Sequence, residues 1–293
     1  MNEPTSAPSL VGRAQILTVA RSIGVLGGGA LSAPRIMAAL CDPQIDAEDV
    51  KGRLRDEPAL CARVLKVANS PLYGQERSVT SLDRALTVLG LDSLRCIAAA
   101  ACLDRTMLSG TSVLLDLKAV VSHSQATAAA ADCLARYGFP ELASSAFIAG
   151  LLHNLGTVVQ MHIDPAGVAA LLAARRGGDV RDLALLEADW TAIGHEECGA
   201  VIFEEWCLPE ALVAAARHHH SPLRAIAPER RLTALINISA ALALASGSVT
   251  ALDPTALAHH PEALECLGLD EAQLAEATAA IAARMTELKQ ALQ

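Results

Sequence analysis

The stretch SHSQATAAAADCLARYGFPELASSAFIAGLLHNLG, Ser122 to Gly156, decides the fold. Its first part is an alanine-rich run opened by His123, and its second is an apolar run that ends in His153-Asn154-Leu155-Gly156. Alanine has the best intrinsic helix propensity and lets helices approach closely, so each part reads as a helix. Two helices with an imidazole at the start of one and the end of the other can close around a common point. His195 and the triplet His218, His219 and His220 lie in later segments that can reach the same place.

Outward from that stretch the same composition recurs. The runs AAAACLD, AGVAALLAA and ATAAIAA repeat the small-residue helical signature. Apolar residues make up 52% of the 293 and aromatic ones only 2%, so the expected core is Leu, Ala, Val and Ile in an all-α protein. Thirty-two acidic residues against 23 basic give a net charge of −9, which disfavours nucleic acid, and no basic stripe reverses it. The eight cysteines are scattered and never form CxxC, which implies free thiols in a cytoplasmic protein. The N-terminus, MNEPTSAPSL, lacks the character of a signal peptide. The longest uncharged run, Leu232 to Leu252, is broken by Thr, Asn, Ser and Gly, so no membrane span is expected.

Punctuation divides the rest. Residues 1–11 read as a disordered lead-in, residues 12–110 as an N-terminal helical bundle, 111–246 as the histidine-bearing core, and 247–293 as C-terminal helices packed on it. Asp46 or its neighbours cap one helix, and Thr80 caps another as the first residue of a capping box. Helices are expected to about Arg176, over Leu183–Trp190, from near His195, after Pro209, over Arg231–Ala245, and near Pro254–Leu264 and Asp270–Leu292. Leu274, Ala277, Ile281, Met285 and Leu288 form an apolar stripe that can dock in cis or pair in trans as a homo-oligomer.

RLRDEPALCARVLKVANSPLYG followed by VTSLDRALTVLGLDSLR in the first half, with His123, AGLLHNLG, His195, Gly199 and LPEALVAAARHHH in the second, resembles the HDOD family of bacterial signalling proteins. The resemblance covers about residues 14 to 245. It implies an HD-like helical fold related to the HD and HD-GYP metal-dependent phosphohydrolases, and a regulatory module whose partners are signalling proteins. Carried across residue by residue, His123 matches the first histidine of the HD pattern and His153 the histidine of its central pair. Asn154 stands in the place of that pair's aspartate, while His195, His218 and His219 match the additional histidines. The closing aspartate should fall near Ala240, yet no carboxylate lies between Arg231 and Gly247. Thr157 stands where catalytic relatives often carry lysine.

Those departures bear on the chemistry. A hydrolytic metal site needs an anionic ligand to hold a divalent ion and its hydroxide, and Asn154 offers only a neutral carbonyl. The expectation is therefore a non-catalytic regulatory protein that binds other proteins and requires no cofactor. Three or four imidazoles among His123, His153, His195, His218 and His219 can still hold zinc, nickel or iron. The alternative is a divergent metal-dependent phosphohydrolase acting on a nucleotide or cyclic dinucleotide. Glu187 or Asp189 reaching into the histidines, with ions bound there, would revive it.

The bland readings are stated beside these. His123 can be a helix-start residue bound to backbone, His153 a satisfied core imidazole, and His195 an N-cap-region residue. Successive helical residues point about 100° apart, so the triplet cannot be a single ligand set. His162, His259 and His260 read as surface or loop residues. Tyr73, in the tight connector Ser70–Gly74, is the candidate interface residue, whereas Trp206 reads as core.

Overall fold

The computed structural model describes residues 12–18, 45–55, 64–65, 67–69, 79–91, 94, 117–179, 181, 183–205, 208–248 and 261–292. Every regular element among them is helical, and no strand occurs there. The lead-in, the boundary near residue 110, Tyr73, Trp206, His259, His260 and the start of the helix expected from Pro254 lie outside the described residues.

In the first half, helix α1 (Ala47–Arg55) begins where the Asp46 carboxylate accepts the Asp49 amide at 2.8 Å. The helix over 82–91 is capped by Ser81, whose hydroxyl accepts the Arg84 amide at 3.2 Å. The cap is thus Ser81 and not Thr80. The carboxamide of Asn69 bonds both backbone groups of Val79, at 2.7 and 2.8 Å, and so closes the segment between them. Lys51 ties α1 to the 82–91 helix through Asp83.

The second half is built on α2 (Leu117–Gly138), and α3 (Ala143–Leu152) packs against it. His123 is therefore in the second turn of α2, not its first residue, because the helix extends six residues further back. Ala128 to Ala131 are wholly buried, as small residues must be where helices press on several sides of one axis. Gly150 makes the closest approach, since a Cβ there would stand 2.9 Å from the Ala128 Cα.

The chain turns at His153-Asn154 into α4 (Leu155–Ile163), then α5 (Pro165–Arg176), α6 (Leu183–Trp190), α7 (His195–Glu205) and α8 (Glu210–His218). Asp164 caps α5 by accepting the Gly167 amide at 2.8 Å, with Pro165 in the first turn. Helix α9 (Ala227–Ala245) packs on α2, α3 and α8, and Gly247 (φ 86°) follows it in the left-handed conformation that glycine favours.

Helices α10 (Pro261–Leu267) and α11 (Glu271–Leu292) complete the described fold. The α11 stripe docks in cis: Leu274, Ala277 and Ile281 are buried and the helix lies along α2. At about 1.5–3 kcal/mol for each large apolar side chain removed from water, this stripe holds the helix in place. Among the described residues no single helix is long and apolar enough to cross a membrane.

At the other end of the chain, residues 12–18 form a helical turn that reaches the core through Arg13. Its guanidinium bonds Glu204 of α7 at 2.6 Å, and Glu204 also accepts from Arg217 of α8 at 2.7 Å. Arg217 reaches Glu197 as well, at 3.1 Å.

Candidate functional site: a buried histidine cluster

Gly156 explains why the His153-Asn154 turn sits where it does. A Cβ on it would lie 1.8 Å from the His195 carbonyl oxygen and 2.4 Å from the Gly199 amide nitrogen. Only a bare glycine lets the first turn of α4 touch the first turn of α7. That contact sets His153 and His195 into one neighbourhood.

Five imidazoles line up there. Ring centroids are 5.4 Å apart for His123 and His153, 5.0 Å for His153 and His219, and 5.2 Å for His219 and His195. His220 completes the row, 5.1 Å from His195 and 4.3 Å from His219. His123, His153, His195 and His219 are buried. His218, the last residue of α8, is half-buried, and its nearest charges are Arg217 and Arg224. Burial, followed by those two cations, lowers its pKa.

Helix α8 ends at His218, although His219 after it keeps helical backbone angles (φ −63°, ψ −23°). The rings of His219 and His220 both lie in the cluster. Asn237 of α9 fixes the backbone there by donating its amide to the His219 carbonyl at 2.7 Å.

Each of the four deeply buried rings has an oxygen at its Nδ1. His123 Nδ1 donates to the Ser248 carbonyl at 2.9 Å, and His153 Nδ1 to that of Gly150 at 2.7 Å. His219 Nδ1 donates to the Ala216 carbonyl at 2.9 Å, and His195 Nδ1 to Glu187 Oε1 at 2.8 Å. In a neutral ring an acceptor at Nδ1 places the proton there and the lone pair at Nε2. His195 Nε2 lies 3.2 Å from His219 Nε2, and His123 Nε2 lies 3.5 Å from Thr127 Oγ1.

Glu187 does reach the cluster, while Asp189 pairs with Arg181 on the surface at 2.8 Å. Its carboxylate also accepts the His195 backbone amide, at 3.2 and 3.3 Å, and so caps α7 from a different helix. The Gln160 amide donates to it at 3.0 Å. Burial pushes this carboxyl up, but the charge and hydrogen bonds of His195, with help from Gln160, outweigh that and hold it below the ordinary range. Its oxygens therefore lie behind His195, on the side away from the facing Nε2 atoms. Glu196, in the first turn of α7, accepts the His220 amide at 3.3 Å, and burial raises its pKa. His153 and His219 are both held well below the ordinary imidazole value, chiefly by burial and then by neighbouring imidazoles.

The group able to hold an ion among the described residues is His195, His219 and His220, with one ring nitrogen of each within 4.8 Å of the others. It is a histidine-only, incomplete cluster. Asn154 is the N-cap residue of α4, and its side chain makes no capping bond. A hard two-ion centre does not fit here, because such ions need oxygen anions as direct ligands. Sequence reasoning did not find Gln160, Asn237 or Ser248, which enter through contacts distant in sequence.

Known proteins share this architecture. A crystal structure from Shewanella amazonensis SB2B, named provisionally as a phosphohydrolase, superposes with a TM-score of 0.70 at 22% identity, covering 96% of this chain and 98% of that one. An HDOD domain protein of unknown function from Geobacter sulfurreducens gives 0.70 at 22% identity, over 95% and 97% of the two chains. At that identity the likeness establishes the fold. An uncharacterized protein of Treponema pallidum (strain Nichols) is 26% identical over 187 residues, which is 64% of this chain but only 36% of that protein's length. The HDOD domain profile matches residues 30–222, about two thirds of the sequence, and with it the chain belongs to the HDOD domain family.

Proposed function

We propose that this protein is a non-catalytic regulatory module of the cytoplasm that acts by binding other proteins in a signalling pathway. The observation that carries this reading is the composition of the cluster. The residue beside His153 is Asn154, and α9 carries no carboxylate between Arg231 and Gly247, where the resemblance puts the closing aspartate. Among the described residues Glu187 is engaged behind His195 and Glu196 by the His220 amide, and the ligand atoms that converge are all imidazole nitrogens, which suit a hydroxide-bearing hard ion poorly. The family is consistent with a signalling role, and a structural relative from Marinobacter aquaeolei VT8 is named provisionally as a signal transduction protein. Tyr73 is the proposed contact residue for a partner, and any ion at the histidines would be zinc, nickel or iron.

The retention of five clustered imidazoles favours one competing reading, a divergent phosphohydrolase acting on a nucleotide or cyclic dinucleotide. A hydrolysis screen with phosphomonoesters, phosphodiesters and cyclic dinucleotides in the presence of Mg²⁺, Mn²⁺ and Zn²⁺ decides between them. The proposal expects no turnover above that of His153→Ala. Ester cleavage that survives purification and vanishes in His153→Ala would overturn it.

A further inference from the structure

The connector from α8 to α9 presents an apolar pair to solvent. Pro222–Arg224 is a single 3₁₀ turn, and the backbone at Ala225 and Ile226 is extended. In such a turn every third side chain falls on one side, and here Pro222 and Ala225 are the buried ones. Leu223 and Ile226 are left 45% and 64% exposed, and Ile226 is the most exposed large apolar side chain among the described residues. One exposed aliphatic residue is ordinary on a soluble protein. Two of them flanking an exposed arginine, Arg224, form a patch of the kind that partner proteins cover.

The charges around the patch say what covers it. Residues 217–231 hold four arginines and one glutamate, in a chain whose net charge is −9. Three of those arginines are occupied: Arg217 by Glu197 and Glu204, Arg231 by Glu141, and Arg230 by the Ala225 carbonyl. The Arg224 guanidinium makes no hydrogen bond or ion pair among the described residues. Of the acidic groups on the neighbouring helix α10, Glu262 and Glu265 share the surroundings of Cys266 with Arg230. Arg224 lies instead by His218, whose other charged neighbour is a second cation, Arg217. The free charge of the patch is therefore positive. One free arginine is too little for a polyanion such as nucleic acid, which binds through many cations at once. It suits a single carboxylate, which a guanidinium grips with two parallel hydrogen bonds.

We infer that Leu223, Arg224 and Ile226 form a docking surface for an acidic segment of a partner protein, one that carries Asp or Glu among aliphatic side chains. The inference rests on the reading that this chain acts by binding other proteins, and it adds a surface to the contact proposed at Tyr73. The partner's carboxylate pairs with Arg224, and its aliphatic side chains cover Leu223 and Ile226. Arginine beside desolvated apolar groups is a common centre of binding energy in such contacts. Only Ser221 separates this connector from His219 and His220, so a bound segment lies next to the histidine cluster along the chain.

The test selects a phage-displayed library of short random peptides on the full-length protein and measures the enriched peptides by fluorescence anisotropy. Enriched peptides should carry Asp or Glu next to Leu, Ile or Val, and their binding should weaken as salt is added. Ile226→Asp and Arg224→Glu should each weaken binding by about tenfold or more. Leu185→Asp, at a comparably exposed position (55%) on α6, should leave it unchanged. All three positions are exposed, and circular dichroism confirms that each variant keeps the parent's helicity and thermal midpoint. Failure to enrich any peptide, enrichment of basic ones, or affinity undiminished in Ile226→Asp would overturn the surface. So would phosphatidylserine vesicles that bind the parent and lose affinity in the same two variants, since the patch would then face a membrane. Each of these results leaves the non-catalytic reading standing, because that reading fails on phosphoester turnover.

Discussion

The backbone carbonyl of His195 lies 1.8 Å from where a Cβ on Gly156 would stand. The obstacle is backbone, with Gly199 N at 2.4 Å as a second, so no side-chain rotation relieves it. Overpacking ordinarily costs about 1–3 kcal/mol. Gly156→Ala should reach or exceed the top of that range, measured as a lower midpoint in urea. Gly199→Ala meets its neighbours only at 3.4 Å or beyond and should lose much less.

Glu187 organises the back of the cluster by accepting from the His195 ring, the His195 amide and Gln160. Each buried donor left without an acceptor costs about 1–3 kcal/mol. Glu187→Ala should therefore destabilise the protein by about 3 kcal/mol or more, read by denaturant unfolding. Glu187→Gln keeps one acceptor oxygen and should lose less.

Acid should unfold this protein in two stages. His153 and His219 are held neutral in the fold, well below the ordinary imidazole value of 6.5, mainly by burial. The unfolded chain takes up protons at those positions below 6.5, so stability present above that pH declines as pH falls through it. Glu187 is also depressed, from an ordinary 4.5, and its contribution is lost as pH falls below that value. Thermal midpoints measured downward from pH 8 should hold until about pH 6.5, fall below it, and fall further below 4.5. His153→Gln should flatten the first stage, and an unchanged slope in that variant would contradict the assignment.

Helix α11 rests on α2 through Leu274, Ala277 and Ile281. An aspartate at Ile281 must bury an unpaired charge or release the helix, and release costs less. Ile281→Asp should raise hydrogen exchange across α11 while the α3 amides remain protected. Loss of protection across α2 and α3 as well would mean that α11 is part of one cooperative unit.

The helices most readable from sequence are those with punctuation at both ends. Leu183–Trp190 and the end of α5 at Arg176 lie where they were expected, because glycine and aspartate turns bracket them. The Thr80 cap failed by one residue, since Ser81 offers an equally good hydroxyl and the backbone geometry selects between them. His123, His153 and His195 were legible as a convergent set. The share of the triplet was not, because sequence spacing does not say which two of three successive histidines face the cluster, and these are His219 and His220. Gln160, Asn237 and Ser248 join the cluster across 18 to 125 residues of sequence, a distance that no local pattern encodes.

Helix α7 carries His195 in its first residue and Glu204 next to its last. Its eleven residues make a rod about 16 Å long. At the far end, Glu204 grips Arg13, from a part of the chain 191 residues away, and Arg217. One short helix therefore has an imidazole fixed at its first residue and a carboxylate shared by two arginines at its other end, so a substitution at Glu204 loosens the Arg13 and Arg217 contacts together.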